Sequence, residues 1–184
     1  MPNYRRLIVP GATVFITLVT HDRVPFLTQP AARTVLRNAW MYVSKRHPFS
    51  TDAVCLLPDH LHMLITLPEN DADYSLRIRE IKRMFTKNFV PNFDEFSKRN
   101  ISRQNKSEAA LWQRRFWEHI IRDEIDYQNH FDYIHFNPVK HQYVDDTSLW
   151  EWSSFHRYKK AGVYGKDWEG ENIHKFESGD FGEG

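Results

Sequence analysis

The chain has 184 residues, of which 41% are hydrophobic and 15% aromatic, and its net charge is +1. This composition excludes a disordered polar chain and is typical of one globular domain over residues 1–184, with a core of about 4–140 and a C-terminal extension over 141–184. The single cysteine, Cys55, excludes an intramolecular disulfide framework and is expected in the core. No signal peptide or membrane-length apolar run is visible, so we expect a cytoplasmic protein without a membrane partner.

The first half of the chain predicts, in order, a strand, a helix and two adjacent strands. After a short basic arm, Tyr4-Arg5-Arg6, the β-branched run Ala12–Thr20 predicts a strand. Thr28-Gln29-Pro30 resembles a helix start, with Thr28 as the capping hydroxyl, and Pro48 predicts the helix end at about His47. Phe49–Leu57 and Asp59–Leu67 then predict an antiparallel hairpin, because the link between them is so short.

The second strand of that hairpin carries two histidines on one face. Side chains alternate along a strand, so Leu61, Met63, Ile65 and Leu67 should face a core while His60 and His62 point together to the opposite side. Two imidazoles at this spacing are close enough to bind one cation. A pair of half-buried histidines at a strand end explains the pattern equally well.

The next elements complete a recognisable order. A helix is predicted over about Ser75–Phe89, with Leu76, Ile81 and Phe85 facing inward, and a fourth strand over Arg115–Arg122. The resulting order β-α-β-β-α-β is the ferredoxin-like arrangement, an α+β fold in which two helices pack on one face of an antiparallel sheet.

A further helix follows this core and combines two different stripes. It should begin at Asp123 and end at about Asn137, because proline at position 138 disfavours helical geometry in the residue before it. Residues three and four apart share a helix face. One stripe is apolar and should dock on the core, and it contains Tyr127, Phe131 and Ile134. The neighbouring stripe is polar, and it contains Asp126, His130, Tyr133 and Asn137.

Basic residues are concentrated in the middle of the chain, with twelve Lys/Arg against five Asp/Glu from Arg77 to Arg122. Such a surface suits a polyanion, although charge runs are also common on solvated faces. The candidate phosphate contacts are Arg79, Lys82, Arg83, Lys87, Arg114 and Arg115, with Tyr4, Arg5 and Arg6 as candidates for a groove or base edge. Trp150, Trp152 and Phe155 could stack on unpaired bases, but we expect at least two of them to anchor the C-terminal extension.

Two groups of motifs together resemble a known family. Pro58-Asp59-His60-Leu61-His62 is similar to the histidine–hydrophobe–histidine signature of HUH single-strand endonucleases. Arg115–His119 and the run Asp132–His141 resemble the single-tyrosine transposases, most closely the branch of REP-associated tyrosine transposases. The Tyr4–Arg6 arm and the aromatic segment from Trp150 to His156 also resemble that branch.

The resemblance implies a DNA strand transferase that acts beside hairpins such as repetitive extragenic palindromes. By resemblance, Tyr133 is the nucleophile, His60 and His62 are metal ligands, and Asn137 occupies the place of a third ligand that is often glutamine in related transposases. His130 or a metal-bound water could accept the tyrosine proton. Imidazoles alone would suit zinc, but a site with several open positions suits Mg²⁺ or Mn²⁺. The partner is single-stranded or hairpin DNA, and a monomer and a dimer both remain open.

Two other functions stay open on the sequence. One is a protein of the same fold that binds DNA hairpins without cutting them. The other is a hydrolase that uses a metal-bound water and forms no covalent intermediate. The intact set His60, His62, Tyr133 and Asn137 argues against the first, because a binding protein needs none of this chemistry.

Overall fold

A four-stranded antiparallel sheet organises the computed structural model, which describes residues 8–89, 111–165 and 168. The elements in chain order are β1 (Thr13–Val19), α1 (Pro30–Arg46), β2 (Ser50–Leu56), β3 (His60–Thr66), α2 (Tyr74–Phe89), β4 (Trp117–Ile120), α3 (Glu124–Lys140) and α4 (Phe155–Lys160), with short 3₁₀ turns at His21–Arg23 and Thr147–Leu149. The strand order is β2-β3-β1-β4, and every neighbouring pair is antiparallel. The predicted ferredoxin-like α+β fold is confirmed.

One face of the sheet is the apolar core predicted from strand alternation. Leu61, Met63 and Ile65 of β3 lie beside Val14 and Ile16 of β1 in a single buried cluster with residues of α1 and α2. Complete burial of one such side chain stabilises the fold by about 1.5–3 kcal/mol. This face therefore supplies much of the stability that positions the strands.

The opposite face of the sheet is covered by α3 and by the described part of the C-terminal extension, from Trp150 to Tyr164. Phe131 and Ile134 of α3 pack with Trp150 and Phe155 in a second cluster, which also contains buried Cys55. The indole nitrogen of Trp150 donates a hydrogen bond to the backbone oxygen of Leu56 at 3.0 Å. The expected docking stripe of α3, the buried cysteine and the anchoring role of two C-terminal aromatics are thus confirmed.

Details of the first two helices differ from the predictions. The residue that caps α1 is Gln29 rather than Thr28, and no side chain supplies the capping hydrogen bond, although Pro30 opens the helix as expected. In α2, Leu76 is only half-buried, while Tyr74 and Ile78 are buried. The helix begins one residue earlier than predicted, at Tyr74, and its buried stripe runs through Tyr74, Ile78 and Ile81, which leaves Leu76 to one side.

The end of α3 is the clearest correction, because the helix continues through Pro138 to Lys140. Proline removes one hydrogen-bond donor, but this loss falls in the last turn of the helix. The backbone N–H of His141 donates to the oxygen of Asn137 at 3.0 Å, and that of Tyr143 donates to the oxygen of Pro138 at 2.9 Å. Burial of Asn137 and Pro138 against the sheet holds this turn in place.

The strand β4 is shorter than predicted, so Arg114 and Arg115 precede it and are exposed. The Tyr4–Arg6 arm and the end of the C-terminal extension, at 166–167 and 169–184, lie outside the described residues. Among the described residues, no helix is both long and apolar enough to cross a membrane.

Candidate active site

The histidine pair of β3 lies beneath α3, on the face of the sheet opposite to the apolar core. His60 and His62 are 1% and 0% exposed, and their ring centroids are 4.9 Å apart. The pairing of β3 with β1 places Thr17 opposite His62. The predicted alternation is therefore correct, and the two imidazoles share one buried pocket.

Each imidazole is oriented through its Nδ1 atom. Oδ1 of Asp59 lies 2.7 Å from Nδ1 of His60, and Oγ1 of Thr17 lies 2.8 Å from Nδ1 of His62. Burial opposes the charge of Asp59, but hydrogen bonds from His60 and Arg23 outweigh it and lower the pKa of this carboxyl to about 2. Because an ionised carboxylate only accepts hydrogen bonds, Nδ1 of His60 donates to it, and Nε2 is the ring nitrogen left to face a metal ion.

The donor atoms of the histidine pair suit a divalent cation. Nε2 of His60 is buried, and no residue that the structure describes forms a hydrogen bond with it. A buried polar atom of this kind costs free energy unless an ion or a water molecule fills the space beside it. Metal-binding histidines usually donate their other ring nitrogen to a carboxylate or a similar acceptor, as His60 does to Asp59.

The nucleophile candidate, Tyr133, projects from α3 toward the histidines. The helix begins at Asp123, whose carboxylate accepts a hydrogen bond from the backbone N–H of Asp126 at 2.8 Å. Tyr133 is 2% exposed, and its ring centroid lies 5.4 Å from that of His62. Asn137 follows one turn later, and its side-chain oxygen is also buried. The structure thus brings Tyr133 next to the histidine pair and places Asn137 on the same helix face.

Two residues beyond Pro138 belong to this site and were assigned no role from the sequence. Nζ of Lys140 donates a hydrogen bond to the hydroxyl of Tyr133 at 2.9 Å and lies 4.7 Å from the centroid of its ring. The ring of His141 lies 5.0 Å from that of His60. Both positions depend on the extra helical turn after Asn137. A helix that ended at Asn137, as predicted, gave no reason to place Lys140 and His141 in the site.

A second polar cluster joins β4 to the start of α3. Nε2 of His119 lies 2.8 Å from Oδ2 of Asp126, and Nδ1 of His130 lies 3.1 Å from Oδ1 of the same carboxylate. The ligand atoms of these three residues are within 4.8 Å of one another, which is close enough for one cation. However, Oδ2 of Asp126 also accepts from the backbone N and Nε of Arg122, at 3.0 and 3.1 Å. These two donors from Arg122 already occupy Oδ2 of Asp126, so a cation would have to displace them.

The hydrogen bonds of this cluster determine the tautomer of His130. Its Nδ1 atom donates to the backbone oxygen of Asp126 at 2.8 Å, so Nε2 of the neutral ring carries the lone pair. Burial lowers the pKa of His130, which keeps the ring neutral at physiological pH. A neutral imidazole with its lone pair on Nε2 is the form that a proton acceptor requires.

The basic residues of α2 that were suggested for DNA binding do not lie beside Tyr133. This helix packs against the other face of the sheet. Nζ of Lys82 donates to the backbone oxygen of Gln113 at 2.7 Å, and Arg83 forms an ion pair with Glu80 at 2.7 Å. Arg79 and Lys87 are exposed.

Comparison with known proteins defines the class to which this fold and site belong. The family model described as "Transposase IS200 like" matches residues 9–137, which include the whole sheet and most of α3. The chain therefore belongs to this family of transposases and is an enzyme of DNA transposition. Membership of this family supports a divalent metal site.

Individual relatives define the branch of the family. A Haemophilus influenzae protein named as a REP-associated tyrosine transposase is 46% identical over 171 residues, covering 92% of this chain and 94% of that protein. The REP-associated tyrosine transposase of Escherichia coli K12 is 40% identical over 171 residues, which are 93% of each chain. A solved structure of a REP-associated tyrosine transposase bound to a REP hairpin has 38% identity and a TM-score of 0.76, covering 98% of this chain and 93% of that one. The predicted resemblance to this branch is confirmed.

Proposed function

We propose that this transposase cuts and rejoins single-stranded DNA beside a hairpin, with Tyr133 as the nucleophile. The observation that carries the proposal is the position of Tyr133, whose ring lies 5.4 Å from that of His62 in a buried pocket. A structural tyrosine in an apolar core would not need an oriented imidazole at this distance. The similarity to a REP-associated tyrosine transposase that is bound to a REP hairpin supports hairpin DNA as the partner.

We assign the metal ligands to His60, His62 and Asn137. The buried Nε2 atom of His60 and the buried side-chain oxygen of Asn137 offer one nitrogen and one oxygen ligand. A set with few protein ligands leaves open positions, which suits Mg²⁺ or Mn²⁺ better than a structural zinc ion. When bound, such an ion polarises a phosphoryl oxygen and neutralises the charge that develops there.

The residues of α3 perform the proton and bond changes. The hydroxyl of Tyr133 gives up its proton, with neutral His130 one turn earlier on α3 or a metal-bound water as the acceptor, and its oxygen attacks the phosphorus atom. The bond from phosphorus to the 3′ oxygen breaks, the 3′ oxygen takes up a proton, and the 5′ phosphate stays linked to Tyr133. A 3′-hydroxyl can later attack this ester and release the tyrosine, so strand transfer needs no external energy source.

The ammonium group of Lys140 acts on the same oxygen. At 2.9 Å from the hydroxyl, it holds the oxygen in place and stabilises negative charge on the phenolate, both before attack and after the ester breaks. This contact supports Tyr133 over Tyr127, which stacks on Phe131. Burial raises the pKa of Tyr127 to about 12, so its hydroxyl is harder to ionise.

Hairpin binding requires a positive surface. The exposed side chains of Arg79, Lys87, Arg114 and Arg115 are the candidates for phosphate contacts. Lys82 and Arg83 are weaker candidates, because each already has a partner within the protein.

The decisive test compares two tyrosine variants on a labelled hairpin with a single-stranded flank, incubated with Mg²⁺ or Mn²⁺ and analysed on a denaturing gel. Tyr133→Phe removes one oxygen and should abolish both cleavage and the covalent adduct while the hairpin still binds. Tyr127→Phe is the matched control and should form the adduct at the wild-type rate. Peptide mapping of the wild-type adduct should identify Tyr133.

Other outcomes identify the alternative functions. Cleavage that is unaffected by Tyr133→Phe and leaves no adduct would favour the metal-water hydrolase. Hairpin binding without any cleavage, in the presence of either metal ion, would favour the non-cutting binding protein. An adduct that maps to Tyr127 would contradict the assignment of the nucleophile.

A further inference from the structure

A groove at the outer edge of the sheet takes no part in the chemistry at Tyr133. Its volume is about 610 Å³, and it is lined by residues of α1, β2 and the segment that precedes α4. Its apolar lining includes Val54, Leu56, Trp40 and Trp152. It is therefore large and apolar enough to take up a flat ring system.

The segment that carries Trp152 is fixed to the sheet. The strand β2 lies at the edge of the sheet, so its outer backbone groups need partners. The backbone N–H of Leu56 donates to the oxygen of Trp152 at 2.9 Å, and that of Ser154 donates to the oxygen of Val54 at 2.8 Å. These bonds hold Trp152 in a preformed position, which reduces the entropy lost when a ligand binds.

The groove is positively charged. Three arginines line it, Arg33, Arg37 and Arg157, against one acid, Glu151. Arg37 is exposed and forms no hydrogen bond or ion pair with any residue in the described part of the chain. This charge suits an anionic ligand.

Two buried donors in the groove lack acceptors. Neither Nε of Arg33 nor Nε1 of Trp152 has a hydrogen-bond partner among the described residues, and the guanidinium of Arg33 lies 5.0 Å from the centroid of the Trp152 ring. By contrast, the indole nitrogen of Trp40 donates to the hydroxyl of Thr51 at 3.2 Å. Buried N–H groups are normally satisfied, so this wall of the groove has hydrogen-bonding capacity that the described residues leave unused.

We propose that this groove binds an unpaired stretch of the DNA strand next to the hairpin. An unpaired base offers a ring face for Trp152, and phosphodiester oxygens are acceptors for Arg33 and Arg37. Duplex DNA fits less well, because its bases are stacked inside the helix. The inference rests on the proposed function, since it assigns a place to part of that substrate.

The test measures binding by fluorescence anisotropy of a labelled hairpin with an unpaired flank of about six thymidines, and of the same hairpin without the flank. Arg37→Ala should weaken binding of the flanked hairpin about ten-fold and leave the other hairpin unchanged. Trp152→Phe keeps a ring but removes the indole N–H, and it should have a smaller effect of the same kind. Lys45→Ala is the control, because Lys45 is exposed on the same helix but does not line the groove.

Photocrosslinking gives a second measurement that does not depend on a variant. A flank that contains 5-iododeoxyuridine should crosslink to a peptide that includes Trp152. Equal weakening of both hairpins by Arg37→Ala, no weakening of either, a crosslink that maps elsewhere, or a larger effect on fully duplex DNA would each overturn the inference.

The adduct assay on the same proteins separates this inference from the proposed function. If the wild type forms the Tyr133 adduct but Arg37→Ala binds both hairpins normally, the groove assignment fails and the proposed function stands. If the flank effect is present but the wild type forms no adduct, the cleavage proposal fails and the groove assignment stands.

Discussion

The two faces of the sheet are built from the same strands but bury different kinds of residue. On the face covered by α1 and α2, β3 contributes Leu61 and Met63 to an apolar cluster. On the face covered by α3, the same strand contributes His60 and His62. The buried polar residues of β1, β3 and α3 are Thr17, His60, His62, Asp126, His130, Asp132, His135 and Asn137.

This difference separates stability from chemistry within one strand. Burial of any well-packed apolar side chain of the right size stabilises the fold. Burial of a polar group destabilises it unless hydrogen bonds or ions satisfy that group. Substitutions of the apolar side chains on the α1/α2 face should therefore change the free energy of unfolding, and those of His60, His62 and Tyr133 on the α3 face should change catalysis. The following predictions test that separation.

The largest expected effect is on cleavage, and it comes from neighbouring residues of β3. His60→Ala should lower the cleavage rate by at least about a thousand-fold, because it removes a proposed metal ligand. Leu61→Ala should instead lower the free energy of unfolding by about 2–5 kcal/mol while the folded protein still cleaves. Urea denaturation and Mn²⁺ titration followed by electron paramagnetic resonance distinguish the two. Retained Mn²⁺ binding in His60→Ala would exclude His60 as a ligand.

The next largest effect is on stability and concerns Arg77. Among the described residues of α1 and α2, it is the one buried charged side chain. Arg77 is 1% exposed, and its guanidinium donates to Asp71 at 2.7 Å and to the backbone oxygen of Pro48 at 2.6 Å. Arg77→Met should cost about 3 kcal/mol of unfolding free energy, since it removes several hydrogen bonds from a charged group. Arg79→Met, at an exposed position of the same helix, should change it by less than about 0.5 kcal/mol. Equal effects of the two variants would contradict the role given to Arg77.

A smaller effect should appear with pH. His135 lies between the hydroxyls of Tyr164 and Ser154, at 2.7 and 2.8 Å, and burial lowers its pKa from 6.5 to about 3. The unfolded chain therefore takes up a proton below pH 6.5 that the folded protein does not, so stability is complete above that pH and falls as the pH drops toward 3. The loss should be about 1.4 kcal/mol per pH unit. His135→Gln should flatten this dependence in urea titrations at several pH values, and an unchanged slope would show that His135 is not its source.

The smallest effect concerns the exposed charges of α2. Arg79→Ala and Lys87→Ala should each weaken DNA binding equally for different sequences and reduce the salt dependence of binding by roughly one unit of slope. Anisotropy titrations at several salt concentrations measure this slope. Weakening that is restricted to one sequence would mean that these residues contact bases rather than phosphates.

Local periodicity was sufficient to predict the fold and the faces on which the candidate site residues lie, while the resemblance to the family supplied their expected roles. Alternation along β3 predicted which face His60 and His62 share, and helical spacing predicted that Tyr133 and Asn137 share one polar stripe, which the structure buries. These predictions succeeded because the direction of a side chain relative to its own element depends only on backbone geometry. The roles of these four residues stay proposals until the variants are measured.

Other parts of the site depended on contacts between distant residues. Thr17 orients His62 across 45 positions of sequence, and this contact exists only because β1 and β3 pair in one particular register. The sequence rule for proline ended α3 at Asn137, but packing against the sheet carries the helix on and brings Lys140 to Tyr133. The groove beside Trp152 likewise forms where the C-terminal segment pairs with β2. The sequence by itself determined the elements and their buried faces, whereas strand register and packing decided which side chains meet, because those contacts form only when the elements come together in the folded chain.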